Sequence, residues 1–193
     1  MTKENILDFI VLTLRWYLIW YMISYGWSKI TMSQFGVNNE TILDTPLRDV
    51  DKFYLAWYLY GESHFFNYVT GIAEVIGGIL LVFNRTVLLG TLLILVILGN
   101  ILIIDVSFTT SQFGYALPVR ISGMIMSALL ILYYYKDRLI AVLNTLTKGV
   151  TTKFKYKWWI YVLLPIIGFL MDFVLGISMS PIKMILNKYF LQF

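Results

Sequence analysis

Five long apolar runs separated by shorter polar segments set the pattern of this chain. They fall at 6–28, 65–84, 86–104, 118–135 and 158–179. A helix crossing a ~30 Å hydrocarbon layer needs ~20 apolar residues, which is the length of each run. The third is free of charge and bounded by Arg85 and Asp105. The fourth opens at Pro118, whose missing N–H falls among the first-turn donors that lack a partner anyway. The fifth carries Asp172 and Pro165. Proline is tolerated in a membrane helix whose neighbours satisfy the freed carbonyl. The runs are too continuous for the ~10-residue alternating strands of a membrane barrel. Backbone groups in lipid must be satisfied internally, so helices are expected. No heptad or tandem repeat interrupts this reading.

Two shorter stretches read as interfacial. Residues 53–60 are too short to span and dense in the aromatics that settle at headgroup level. Residues 181–193 place Lys183, Asn187, Lys188 and Gln192 on one helical face, with apolar residues mostly opposite. This predicts an amphipathic surface helix at the end of the chain.

Composition makes the membrane reading decisive. The 193 residues are 59% apolar and only 13% charged, and mean hydropathy is +0.76. Soluble domains carry roughly 25% charged residues, so this chain lacks the charge that keeps a soluble surface wet. Cysteine is absent and there is one histidine. That excludes disulfides, thiol nucleophiles, Fe–S clusters, ordinary zinc sites and bis-histidine haem from this chain alone. No metal and no resident cofactor are expected. Asp8 interrupts the first run and no small-residue cleavage site follows it, so this run is expected to remain as an anchor.

Charge placement predicts orientation. The stretch 136–157 holds Lys136, Arg138, Lys148, Lys153, Lys155 and Lys157 against Asp137. The loop between the first two runs holds Arg48 and Lys52 against five acidic residues, Glu40, Asp44, Asp49, Asp51 and Glu62. Basic loops stay cytoplasmic, which places the N-terminus and 136–157 inside. Beside a membrane helix the basic stretch is explained by anionic lipid, so no nucleic acid partner is expected.

The candidate chemistry lies in the polar residues of the apolar runs, because intramembrane charges are costly. Arg15 and Glu74 sit near the middles of the first two runs and are expected to pair. Such a pair either fixes helix register alone or forms part of a site. Gly71, Glu74 and Gly78 share one face, and small residues there let another helix approach. Lys29, Asp105 and Arg120 gather toward the outer face under this topology, with Arg15 and Glu74 as the expected floor of a polar cavity. Arg15 and Lys29 share one helical face ~21 Å apart. Asn100 is a candidate for a hydrogen bond across helices, and Asp172 for a pair with Lys29 or Arg120. His64, in the acidic loop, is more simply a solvated residue than a proton-transfer group. No phosphate loop, zinc-protease helix or hydrolase elbow is present, and no catalytic residue is identified.

The stretch from Arg15 to Lys29, with Tyr25-Gly26 and Lys29 three residues after the glycine, resembles the first helix of DoxX-like membrane proteins. Glu74-Val-Ile-Gly-Gly78, followed by aliphatics and Asn84-Arg85, resembles the same family's second-helix pattern. Asn100 and the stretch 104–120 resemble its third-helix end and fourth-helix start. The likeness covers residues 10–135. It implies a four-helix membrane core in a bacterial cytoplasmic membrane, with both ends of that core inside. Family members are associated with membrane oxidoreductase systems, including thiosulfate:quinone oxidoreductase. The long outer loop, the basic insertion and the fifth run depart from the family pattern, and without cysteine no thiol–disulfide exchange carries over.

The expected architecture is therefore all-α and polytopic. It comprises a four-helix core over 1–135, a basic cytoplasmic connector over 136–157, and a fifth membrane helix with an amphipathic terminus over 158–193. The functions that fit are an accessory or anchoring subunit of a membrane complex, a site for a quinone or other lipophilic small molecule, or a lipid or metabolite transporter. The bilayer and membrane partner subunits are the expected partners.

Overall fold

A computed structural model describes residues 3–35, 42, 44–109, 115–149 and 154–178. Among these the chain forms seven α-helices and no strand. They are α1 (Lys3–Ile30), α2 (Lys52–Glu62), α3 (His64–Val82), α4 (Val87–Phe108), α5 (Ala116–Tyr134), α6 (Lys136–Thr147) and α7 (Trp158–Ser178), with a 3₁₀ turn at Leu47–Asp49 before α2. The predicted amphipathic helix at 181–193 and the side chain of Asp172 lie outside the described residues.

By length and composition α1, α3, α4 and α5 can each cross a membrane. The protein is a polytopic all-α membrane protein. The fifth apolar run is also helical, as α7, with Pro165 inside it. Two compact units divide the chain, Met1–Thr145 and Leu146–Phe193. In the first, α1 packs on α3, α3 on α4, α4 on α5, and α5 back on α1, closing a four-helix ring. Its interior is filled by Leu18, Met22, Leu81, Ile94, Leu98, Met124 and Ile131. Apolar side chains of the opposite faces stay exposed, among them Trp16 and Trp20 of α1, Ile76 of α3 and Val119 of α5. A soluble protein would bury such residues; in a bilayer they meet lipid tails.

Glycines set the closest approach. A Cβ on Gly26 would lie 2.5 Å from the Gly71 carbonyl oxygen, and one on Gly71 would lie 2.7 Å from that of Gly26. The backbones of α1 and α3 therefore cross at these residues with no room for a larger side chain.

The helix lengths differ, and this decides which charges meet. α1 has 28 residues and α3 has 19. At 1.5 Å per residue, α1 is about 13 Å longer than its partner. With the crossing fixed at Gly26 and Gly71, the excess projects beyond the C-terminus of α3.

The aromatic stretch 53–60 folds as part of α2. Asp51 caps it by accepting from the Phe53 N–H at 2.8 Å. Ser63 ends α2 and caps α3, its hydroxyl accepting from the Phe66 N–H at 3.3 Å. Buried Asn67 clamps this corner, donating to the carbonyls of Tyr60 at 2.8 Å and Ser63 at 3.0 Å. Phe53 and Ala56 are buried, so α2 lies against the bundle through α3 and α4. α6 buries no residue.

Candidate functional site

Lys29, near the end of α1, forms a buried ion pair with Glu74 in the middle of α3. The Gly26–Gly71 crossing explains it: with Lys29 Cβ only 3.1 Å from where a Gly71 Cβ would be, the lysine lies along α3 toward Glu74. Glu74 is completely buried. Oε1 takes the ammonium, while Oε2 is enclosed and has no hydrogen-bond partner among the described residues.

Arg15 does not meet Glu74, which corrects the expectation from the sequence. Its guanidinium instead caps the C-terminus of α3. Nε and Nη2 donate to the Leu81 carbonyl at 3.1 and 2.7 Å, Nη2 to that of Val82 at 3.0 Å, and Nη1 to Asn84 Oδ1 at 2.6 Å. The overshoot of α1 is the cause, since a residue midway along the longer helix lies level with the end of the shorter one. A cation there is matched to the orphan carbonyls and the negative end of the helix dipole. Arg15 and Lys29 do share the α1 face covered by α3, as their spacing predicts.

Arg120 is the second correction. It is exposed on α5 and donates to the Tyr25 hydroxyl at 3.4 Å, with its guanidinium carbon 5.9 Å from the centre of the Tyr21 ring. Tyr17, Tyr21 and Tyr25 recur every four residues, their adjacent rings 5.0 and 5.7 Å apart in edge-on contact. This ladder draws Arg120 to the α1–α5 groove and away from Glu74.

Lys29, Glu74, Asn100 and Asp105 are brought together around a cavity of about 370 Å³. Asp105 is buried and interacts electrostatically with Lys29, without a salt bridge within 4.0 Å or a hydrogen bond to its carboxylate among the described residues. Asn100 is exposed at the cavity and makes no interhelical hydrogen bond among the described residues, unlike the role expected of it. The cavity lies where α3, α4 and the end of α1 meet under α2. Trp57 and Tyr60 of α2 and Phe35 form its aromatic wall, with Phe35 ring-to-ring distances of 5.8 Å to Trp57 and 5.9 Å to Tyr60.

Phe35 reaches this position through a tight end to α1. Met32 has φ 56, in the left-handed region, and the N–H groups of Ser33 and Gln34 donate back to the Ser28 carbonyl. This is the reversal by which helices commonly close. Val69 is 50% and Val96 73% exposed, so the cavity's α3–α4 side faces the lipid. The composition is that of a small-molecule site: a mostly apolar lining with a few convergent polar groups, near the lower end of the usual ~300–1,000 Å³. His64 is exposed at the start of α3 and does not line it. Among the described residues no group of acidic or histidine side chains can hold a metal ion.

The roof had only a composition signal in the sequence, and Thr70 and Gln34 in the lining had none. Asn67 and Asn84 were missed as well. A polar residue at either end of a long apolar run is the signal that would have found them.

The family model of DoxX matches residues 10–106, about half of the chain, and the chain belongs to the DoxX family. It is also similar to Uncharacterized protein YwoB of Bacillus subtilis (strain 168), at 30% identity over 96 residues. That match covers 50% of this chain and 60% of the relative. No solved structure matches the chain. The matched region contains Arg15, the Lys29–Glu74 pair and Asp105, so the cavity lies on the family portion of the fold.

Proposed function

We propose that this DoxX-family protein is a small-molecule-binding subunit of a membrane system, with the cavity beneath α2 as its ligand site. The observation that carries this reading is Glu74, a residue of the wall of a lipid-facing cavity whose enclosed Oε2 has no hydrogen-bond partner among the described residues. Leaving a buried acceptor unmet costs roughly 1–3 kcal/mol or more for a charged group, and a bundle built for packing alone has no use for that cost. The ligand is amphipathic, entering between α3 and α4 with its polar head at Lys29, Glu74 and Asp105 and its apolar part against Trp57 and Tyr60. The protein itself supplies binding; any redox step linked to it belongs to a partner subunit. It resides in a bacterial cytoplasmic membrane with its N-terminus and the connector after α5 on the cytoplasmic side.

Native mass spectrometry of the purified chain tests the reading. The wild type carries a bound small molecule, identified after organic extraction, and Ala73→Trp, which fills the cavity from α3, does not. A quinone in the extract would give the ligand a redox role. Identical spectra for the two proteins, or no bound molecule in either, overturn the proposal.

A further inference from the structure

Among the described residues three charged side chains line the cavity, and they do not balance. Lys29 stands against Glu74 and Asp105, so the site carries one excess negative charge in formal count. Lys29 is paired with Glu74 Oε1, and Glu74 Oε2 accepts no hydrogen bond among the described residues. Asp105 is only 5% exposed, yet its carboxylate accepts no hydrogen bond among the described residues. The remaining polar groups, Gln34, Thr70 and Asn100, are neutral, and the Thr70 hydroxyl is spent on the Phe66 carbonyl at 2.7 Å. Among the described residues the cavity has no second donor with positive charge.

Its aromatic side points the same way. Trp57 stacks on Phe53 at 4.1 Å and Tyr60 on Phe66 at 4.8 Å, which holds both rings in place at the cavity roof. Aromatic faces attract cations, most strongly where water is excluded. An anionic head would meet two carboxylates with one lysine that is already paired. A neutral head would leave the excess charge uncompensated.

We infer that the cavity selects amphipathic amines: a primary or secondary ammonium head donating to the Asp105 carboxylate beside the Lys29–Glu74 pair, with a hydrocarbon or aryl portion beneath Trp57 and Tyr60. The inference rests on the cavity being a ligand site and adds the charge class of what enters it. It also assigns roles. Asp105 is the counter-charge of the ligand, Lys29 keeps Glu74 oriented, and Asn100 stands at the entrance.

The test compares three probes of matched size on the full chain in phosphatidylcholine nanodiscs, read by ligand-induced thermal stabilisation and by tryptophan fluorescence titration. They are 4-phenylbutylamine, 4-phenylbutanol and 4-phenylbutyrate. Charged hydrogen bonds imply that the amine binds at least about tenfold more tightly than the alcohol. The carboxylate binds weakest. Asp105→Asn removes the counter-charge at nearly constant volume and reduces the amine's advantage to within about threefold. Should that variant fail to fold, Asn100→Asp adds a negative charge at the entrance and must increase the advantage. Equal affinity for amine and alcohol, or tightest binding of the carboxylate, overturns amine selection while leaving the cavity as a ligand site. Binding of none of the three overturns both.

Discussion

Lys29 and Glu74 meet across 45 positions of sequence as a buried ion pair, just beyond the point where two glycine backbones touch. The backbone contact and the charge contact depend on one another. Without Gly26 and Gly71 the helices could not approach closely enough, and without the pair the approach would leave a carboxylate alone in the bundle. The exposed lateral side and the roof of α2 turn this pair from a register lock into part of a cavity wall.

Removing one partner of the pair strands a buried charge, at a cost of ~3–5 kcal/mol. Lys29→Met and Glu74→Gln should each depress the melting temperature and folded yield. The double variant should cost less than the two single effects together. A double-mutant cycle on thermal stability measures the coupling, and additive effects would show that the pair does not hold the bundle.

Arg15 belongs to a different part of the account. Arg15→Met leaves the Leu81 and Val82 carbonyls unmatched at the end of α3, and an unsatisfied buried group costs roughly 1–3 kcal/mol. Arg15→Lys should recover only part of this, because one ammonium cannot reproduce the planar fork that reaches two carbonyls and Asn84. With no partner in common, Arg15→Met and Glu74→Gln should add to within about 0.5 kcal/mol, as measured by melting in the same detergent. Marked coupling between them would contradict the separation of the two sites.

What the sequence revealed and what it concealed divide along a physical line. The five apolar runs stand out because lipid imposes one length and one polarity on every crossing helix. The face shared by Arg15 and Lys29 is likewise a matter of helical period. Depth is different. Placing Arg15 opposite Glu74 assumes that neighbouring helices are centred on each other, and the pattern of one helix says nothing of how far it overshoots the next. Arg120 went astray for a related reason: the ladder of Tyr17, Tyr21 and Tyr25 competes for it, and three aromatics in an aromatic-rich helix carry no mark of that role. Lys29, Glu74 and Asp105 were legible as a group because each is a charge in or beside an apolar run. Their aromatic roof was not, because α2 acquires its place only through the Asn67 corner.

The proposed orientation is open to direct labelling, since the chain contains no cysteine and any introduced thiol is unique. Asp49→Cys, before α2, should react with a membrane-impermeant maleimide added to intact cells. Lys148→Cys, after α6, should react only once the membrane is permeabilised. The excess of lysine and arginine after α5 motivates this outcome, and the reverse labelling would invert the topology and place the cavity toward the cytoplasm.

The most direct measurement asks whether the wall of the proposed site is open or packed. Ala73 lines the cavity and Ala128 is fully buried in the core. Each is replaced singly by cysteine, and the rate of reaction with N-ethylmaleimide is followed in detergent after exhaustive ligand extraction. The cavity account predicts that Ala73→Cys reacts at least tenfold faster than Ala128→Cys, and that 4-phenylbutylamine slows the reaction at position 73 alone. Equal, slow reaction at both positions would contradict it, because the space beneath α2 would then be closed to small molecules.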